Sequence, residues 1–243
     1  MAESPPPLDP ASDALFLDFD GTLVELAEAP DAILVPADLR PLLARVAERL
    51  GGRLALISGR SLEDLQRHLG AAGLVMSGSH GVELALSGAP PIPVEAPEGL
   101  AEARDALRAF AAGRSGLLLE EKPAGIALHY RQAPEREAEC RDYCAWLAEA
   151  SGMALAEGKM VVELRPRGVD KGAALRRLMA EPPYAGARPC FVGDDFTDED
   201  GFRAARALGG SGVLVGPPRP TAARWRLGGV AEVLAWLEST ARG

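Results

Sequence analysis

Continuous apolar runs alternate with stretches of helical periodicity over the first eighty residues and again after residue 168. Ala14-Leu15-Phe16-Leu17 and Leu54-Ala55-Leu56-Ile57 are unbroken apolar runs, the pattern of strands covered on both faces. Between them, Leu39, Leu42, Leu43, Val46 and Leu50 recur at helical spacing from Asp38 to Leu50 and are stopped by Gly51-Gly52, so a helix is predicted there. The loop from Glu25 to Pro36 carries Pro30 and Pro36 and cannot be one continuous helix. A second helix starts at Ser61 with Leu62, Leu65 and Leu69 inward, and Leu74-Val75-Met76 reads as a third short strand. From Gly168 the same grammar returns. A helix runs through Met179 behind Asp170 as its cap, strands follow at Pro189–Val192 and Val213–Val215, and a last helix spans Val230 to Ser239. Strand and helix in alternation predict an α/β fold, a doubly wound, Rossmann-like parallel sheet.

The middle of the chain reads differently. Pro90, Pro91, Pro93 and Pro97 form a break that suits a hinge, since neither a helix nor a central strand accepts them. Beyond it the predicted order is helix (Glu98–Ala112), strand (Leu117–Glu120), strand (Ala124–Arg131), helix (Pro134–Ser151) and strand (Met160–Arg165). This is a small α+β domain inserted in the larger one. The expected division is a loose tail over 1–12, a core over 13–92 and 168–243, and the insertion over 93–167. Strand parity puts Ala127, His129 and Arg131 opposite Ile126, Leu128 and Tyr130, and Val161, Glu163 and Arg165 opposite Val162 and Leu164. With Glu120 and Lys122 on the preceding strand, one face of this domain carries mixed charge. That is either a solvated sheet face or a surface able to donate to and accept from a ring of hydroxyls.

Composition narrows the classes. The chain has 243 residues, 47% of them hydrophobic, and a net charge of −9. That is enough apolar content for a real core, and too acidic to favour a nucleic-acid backbone or an anionic membrane as partner. An anionic small molecule would need local cations. Cys140, Cys144 and Cys190 are odd in number and lie near no histidine, so they are expected as buried core residues, with neither disulfide nor zinc. No stretch approaches a membrane span, and the proline-rich, acidic start lacks the regions of a signal peptide. The cytoplasm is the default expectation. Since no long exposed apolar helix calls for an obligate dimer, a monomer is expected.

The candidate chemistry lies where strands end, the edge at which open α/β sheets bind ligands. Asp18 and Asp20 leave the first strand two residues apart, followed by Gly21-Thr22. They are either an ordinary polar turn or two crowded carboxylates that a cation would relieve, and an all-oxygen ligand set suits Mg²⁺. Ser58, before Gly59-Arg60, could donate to a phosphoryl oxygen or merely cap the next helix. His80 sits in a tight polar loop between two glycines. Lys171, in the first turn of a helix, opposes the dipole there, which favours a specific task for it. Gly193-Asp194-Asp195-Phe196-Thr197-Asp198-Glu199-Asp200 packs five acids into seven residues at the end of a strand, either a solvated helix start or the completion of a metal cage.

Asp18-Phe19-Asp20-Gly21-Thr22-Leu23, Ser58-Gly59-Arg60, Lys171 and Gly193-Asp194-Asp195 together resemble, in order, the four signatures of the haloacid-dehalogenase-like phosphohydrolases. The insertion between the second and third is similar to their C2-type cap. Within that group, Gly78 to Glu83, Glu120 to Arg131, Gly158 to Pro166 and Gly193 to Asp200 resemble the trehalose-6-phosphate phosphatases. The resemblance implies Asp18 as nucleophile through an aspartyl-phosphate, Asp20 as general acid and base, Lys171 as charge neutraliser, and Ser58 and Thr22 positioning the phosphoryl group. It implies Mg²⁺ held by Asp18, Asp20 and Asp194, with Asp195 and Asp198 as neighbours orienting water or Lys171. It implies a sugar-phosphate substrate bound by His80, Glu120, Lys122, Arg131 and Glu163, joined by Arg60 and His129 as residues placed beside it, and cap closure that excludes bulk water. Trehalose synthesis would be its context. The same scaffold would also suit another sugar phosphate, such as sucrose phosphate or mannosyl-phosphoglycerate. A silent sugar-phosphate sensor is the rival of a different class, and the intact acids and Lys171 count against it.

Overall fold

The computed structural model describes residues 3–27, 33–70, 73–86, 92, 96–158 and 160–242. The prolines at 30, 90, 91 and 93 therefore lie outside the described residues, as does Lys159. Two compact units divide the chain, Met1–Ile92 with Asp170–Gly243, and Pro93–Val169.

In the first unit the elements run β1 (Asp13–Leu17), α1 (Leu39–Arg49), β2 (Leu54–Ile57), α2 (Leu62–Leu69), β3 (Val75–Gly78) and β4 (Glu83–Ala85). The second unit contributes α3 (Leu100–Ala111), β5 (Leu118–Lys122), β6 (Gly125–His129), α4 (Glu137–Ala150), β7 (Ala154–Gly158) and β8 (Val161–Arg165). The first then resumes with α5 (Lys171–Met179), β9 (Arg188–Gly193), α6 (Glu199–Ala207), β10 (Ser211–Val215), β11 (Trp225–Leu227) and α7 (Val230–Arg242).

The first unit is built on a seven-stranded sheet in the order β11-β10-β9-β1-β2-β3-β4, parallel throughout except for β4 against β3. Alternation along β1 explains why its apolar run is unbroken. Leu15 and Leu17 pack with α1, α2 and α7 on one side, while Ala14 and Phe16 pack with α5 and α6 on the other. Every strand residue from Ala14 to Leu17 is thus withdrawn from water. The α/β class and the doubly wound sheet are as the alternation predicted.

The second unit is a four-stranded antiparallel sheet, β5-β6-β8-β7. Ile126, Leu128, Val162 and Leu164 bury one face against Leu107 and Phe110 of α3 and Cys140, Cys144 and Leu147 of α4. All three cysteines are free and buried.

Three strands were absent from the sequence expectation. β4 and β11 have three residues each, and the first of these opens on the charged Glu83. β7 is Ala-Leu-Ala-Glu-Gly, half-exposed throughout, and carries no β-branched or aromatic residue to mark it. The order of the insertion is therefore αββαββ. The N-terminal segment is also not loose over its described part. The Trp236 indole N–H donates to the Pro6 carbonyl at 3.1 Å, the Arg226 N–H donates to the Glu3 carbonyl at 3.1 Å, and Leu8 packs on the core. Pro-rich chain cannot join a ladder as a donor, but its carbonyls can accept. Among the described residues, no helix is long and apolar enough to cross a membrane.

Candidate active site

Asp18 follows β1 directly and continues its ladder, its N–H donating to the Val192 carbonyl at 2.9 Å. The carboxylate is 4% exposed. The ammonium of Lys171 donates to Asp18 Oδ1 at 2.7 Å and to Asp198 Oδ1 at 2.6 Å. Lys171 reaches them because it is the first residue of α5, capped by Asp170, whose carboxylate accepts the Ala173 N–H at 2.7 Å. Asp198 is wholly buried, and its second oxygen accepts the Asp195 N–H at 2.9 Å, closing a capping box ahead of α6.

Asp18, Asp194 and Asp198 can bring one carboxylate oxygen each to within 4.8 Å of one another. Two buried carboxylates and the half-buried Asp194 against one ammonium leave excess negative charge. Burial, then the charge of Asp198, pushes the Asp194 carboxyl up to about 7, with Lys171 acting in the opposite sense. Burial likewise raises Asp18 well above the usual carboxylate range, again opposed by Lys171 and reinforced by Asp198 and Asp194. For Lys171, burial alone would lower the pKa, but Asp18 and Asp198 overcome it and hold the ammonium above its ordinary value. Hard oxygen donors in a buried, over-negative cluster fit a small divalent cation. Asp198 already spends both oxygens on protein donors, so Asp18 and Asp194 are the carboxylates with capacity to spare. Asp194 presses so closely on Gly21 that a Cβ there would come within 2.2 Å of its Oδ2, and Gly21 also has φ +72°. No residue but glycine satisfies both demands.

Raised carboxyl pKa values fix the sign of a pH dependence. The folded state holds protons that the unfolded chain has released above about pH 4. Metal-free protein is therefore expected to lose stability as pH rises from about 4 through about 7, and a divalent cation should restore it at the alkaline end. Melting temperatures in chelator and in Mg²⁺ at both ends of that window test this. A flat chelator profile would contradict it.

Asp20 departs from the expectation that it sits with Asp18 as a metal carboxylate. Its two oxygens accept from Arg60 Nε and Nη2, both at 2.7 Å, a bidentate pair. Asp198 stands in the cluster instead. The physical reason is the turn after β1, in which Leu23 N–H returns to the Phe19 carbonyl and carries Asp20 out of the strand's alternation. Arg60 is also paired with Asp64 on α2. Thr22 is fully buried, and its hydroxyl has no partner among the described residues. Enclosed in this way, it could meet a ligand only if the turn opened. Ser58 is buried at the end of β2 and accepts the Arg60 N–H at 3.2 Å, while Ser61 is the side-chain cap of α2. The helix cap is thus Ser61 and not Ser58. His80 lies in a single 3₁₀ turn, Ser79–Gly81, with φ +58°. Asp195 is exposed and caps the turn before α6.

Within the second unit, Glu120 and Glu163 both stand opposite Ala127 in the ladder and so share its face. Lys122 donates to Glu163 at 2.7 Å, and His129 bonds Glu120 at 2.9 Å. Ala127, Ala156 and Gly125 leave room above these charges. Arg131 lies past the end of β6, exposed and without an ion pair among the described residues. Glu121 points to the helix side, paired with Arg108. Sequence reasoning missed Asp64, Glu83 and Arg219. Arg219 donates to the Asp195 carbonyl at 2.8 Å, pairs with Glu199 and lies over the Phe196 ring. Only Asp64 left a signal, four residues beyond Arg60 on a helix.

A strand edge holding a buried Asp-Lys-Asp arrangement and an adjoining carboxylate lies in a doubly wound sheet interrupted by an α+β insertion, the fold of the haloacid-dehalogenase-like hydrolases. A haloacid dehalogenase-like hydrolase from Bacteroides thetaiotaomicron superposes with TM-score 0.70 over 94% of this chain and 99% of its own, at 18% identity, which speaks to fold alone. The trehalose-phosphatase family profile matches residues 16–230. A trehalose-6-phosphate phosphatase of Escherichia coli is 41% identical over 230 residues, 93% of this chain and 85% of its own. A probable trehalose-phosphate phosphatase of Sinorhizobium fredii is 40% identical over 219 residues, 85% and 79% respectively. The chain belongs to the trehalose-phosphatase family.

Proposed function

We propose that this protein hydrolyses trehalose 6-phosphate to trehalose and inorganic phosphate by way of an aspartyl-phosphate on Asp18, as a step of trehalose synthesis. The observation that carries the reading is the Lys171 ammonium bonded to Asp18 Oδ1 inside the buried carboxylate cluster. It fixes one oxygen of Asp18 and leaves the other to attack phosphorus. The phosphoryl group is thereby transferred to the carboxylate as the sugar oxygen departs. Asp20 gives that oxygen a proton and then takes one from the water that cleaves the acyl phosphate, regenerating Asp18. For the first of these transfers Asp20 must carry a proton, so one of the two Arg60 bonds that hold it as a carboxylate has to open; the other keeps it in place. Ser58 offers its hydroxyl proton to a phosphoryl oxygen, beside His80.

Asp18 and Asp194 are the residues to hold Mg²⁺, with Asp198 and Lys171 setting their orientation. When bound, such an ion supplies charge stabilisation to the phosphoryl oxygens. The sugar contacts are assigned to Glu120, Lys122, His129, Arg131 and Glu163, whose alternating charge suits hydroxyl recognition.

The test is phosphate release in Mg²⁺ from trehalose 6-phosphate, sucrose 6-phosphate, glucose 6-phosphate and an aryl phosphate. Trehalose 6-phosphate should be strongly preferred. Lys122→Ala and Glu163→Ala, each removing one side of the Lys122–Glu163 pair, should cut kcat/KM for it by about a hundredfold and spare the aryl phosphate. Equal activity on all four compounds would remove the sugar assignment and leave the core chemistry standing.

A further inference from the structure

We propose that Glu83 is a positioning residue, which sets the phosphoryl-binding end of the site by tying the loop of Ser58 and Arg60 to the loop of His80. The inference rests on the phosphatase reading of that end of the site. Glu83 is 8% exposed and opens β4 opposite Gly78 of β3. Its Oε2 accepts the Ser79 hydroxyl at 2.6 Å and the N–H of Leu62 at 3.3 Å. Leu62 is the first residue of α2, four positions past Ser58. A third bond runs from the Ser77 hydroxyl to the Glu83 carbonyl at 3.1 Å.

What this carboxylate holds is strained. Ser79 and His80 are successive non-glycine residues at φ 48° and 58°, a conformation that persists only where the surroundings over-determine it. Backbone bonds from Ser79 N–H to the Arg60 carbonyl (2.7 Å) and from His80 N–H to the Ser58 carbonyl (2.9 Å) dock the strained turn on the other loop. The His80 ring then lies so close over Gly59 that a Cβ there would stand 2.7 Å from its Cε1. Glu83 and Ser61 also occupy first-turn N–H groups of α2, those of Leu62 and Asp64. These bonds at the start of α2 satisfy the Glu83 carboxyl group, which has no cationic partner among the described residues. Ser58, in contrast, accepts from Arg60 N–H, and its own proton meets no protein acceptor among the described residues. Glu83 thus fixes the geometry in which that hydroxyl and the His80 ring face a ligand, while making no contact with the reacting atoms.

The experiment measures inorganic phosphate affinity by calorimetry in Mg²⁺, with KM and kcat alongside, for wild type, Glu83→Ala, Glu83→Gln, Ser79→Ala and Ser58→Ala. Glu83→Ala should weaken phosphate about tenfold and raise KM equally for trehalose 6-phosphate and an aryl phosphate, with a smaller change in kcat. Glu83→Gln, which keeps an acceptor oxygen, should recover most of the loss. Ser79→Ala covers the case in which Glu83→Ala does not fold, and should weaken phosphate about threefold. Wild-type phosphate affinity in the folded Glu83 or Ser79 variants, even with lowered melting temperature, overturns the positioning role. If Ser58→Ala weakens phosphate while they do not, that role alone falls. If Ser58→Ala is also without effect, the phosphatase reading of this end of the site falls with it.

Discussion

Asp18→Asn is expected to lower phosphate release by at least about ten-thousand-fold, the scale seen when a covalent nucleophile is removed, while the metal-free protein melts no lower than wild type. The first half follows from the chemistry, since an amide oxygen cannot form the acyl phosphate. The second follows from the electrostatics. Asp18 sits with Asp194 and Asp198 around a single ammonium, and burial has already raised its pKa, so its charge destabilises the folded state at neutral pH. Asparagine keeps the size and still accepts from Lys171. Phosphate release and calorimetric melting in chelator check both halves. Residual turnover above about one part in a thousand would remove Asp18 from the nucleophile's role.

Lys171→Met should do the opposite to stability. It removes the only cation bonded to Asp18 and Asp198 among the described residues and strands those two buried carboxylates beside the half-buried Asp194. Breaking a buried ion pair by deleting one partner costs about 3–5 kcal/mol. Activity should fall by about a thousandfold, because Asp18 loses the contact that orients it and the phosphoryl oxygens lose a counter-charge. Both losses have a signature. Stability of the variant should recover as pH falls through about 7 and the carboxyl groups take up protons, and it should recover in part in Mg²⁺. A variant as stable as wild type at pH 8 in chelator would show that the cluster is not charge-limited.

How much of this was legible depended on which interactions left a trace along the chain. Buried parallel strands announce themselves as apolar runs, so β1, β2 and β9 and the polar residues at their ends could be read directly. The cation cluster could be read only in outline. Asp194 was placed by its strand, but whether Asp20 or Asp198 joined it depended on a turn closed by backbone bonds at Phe19 and on the reach of Lys171 from another helix. Neither has a local pattern. Arg219 was invisible for the same reason, since it works through carbonyl groups far from it in sequence. Glu83 leaves no strand signal, because a three-residue strand is too short for alternation to register. In the insertion, alternation put Glu163 on the polar face and the ladder sets Glu120 on the same side, whereas Glu121 pairs with Arg108 on the helix side.

The core sheet is assembled from both ends of the chain. β1 pairs with β9 in parallel register, Leu15 beside Cys190, with the whole second unit encoded between them. On a ribosome, the nascent chain therefore carries Asp18 long before it carries Asp194, and the central strand waits with one edge open until the last third has been made. Pairing across so large a sequence separation closes late and slowly. The carboxylate cluster, which takes Asp18 from before the second unit and Asp194 and Asp198 from after it, can consequently form only once both stretches have been made. A chain ending within the second unit would keep Asp18 and lack Lys171, Asp194 and Asp198 around it.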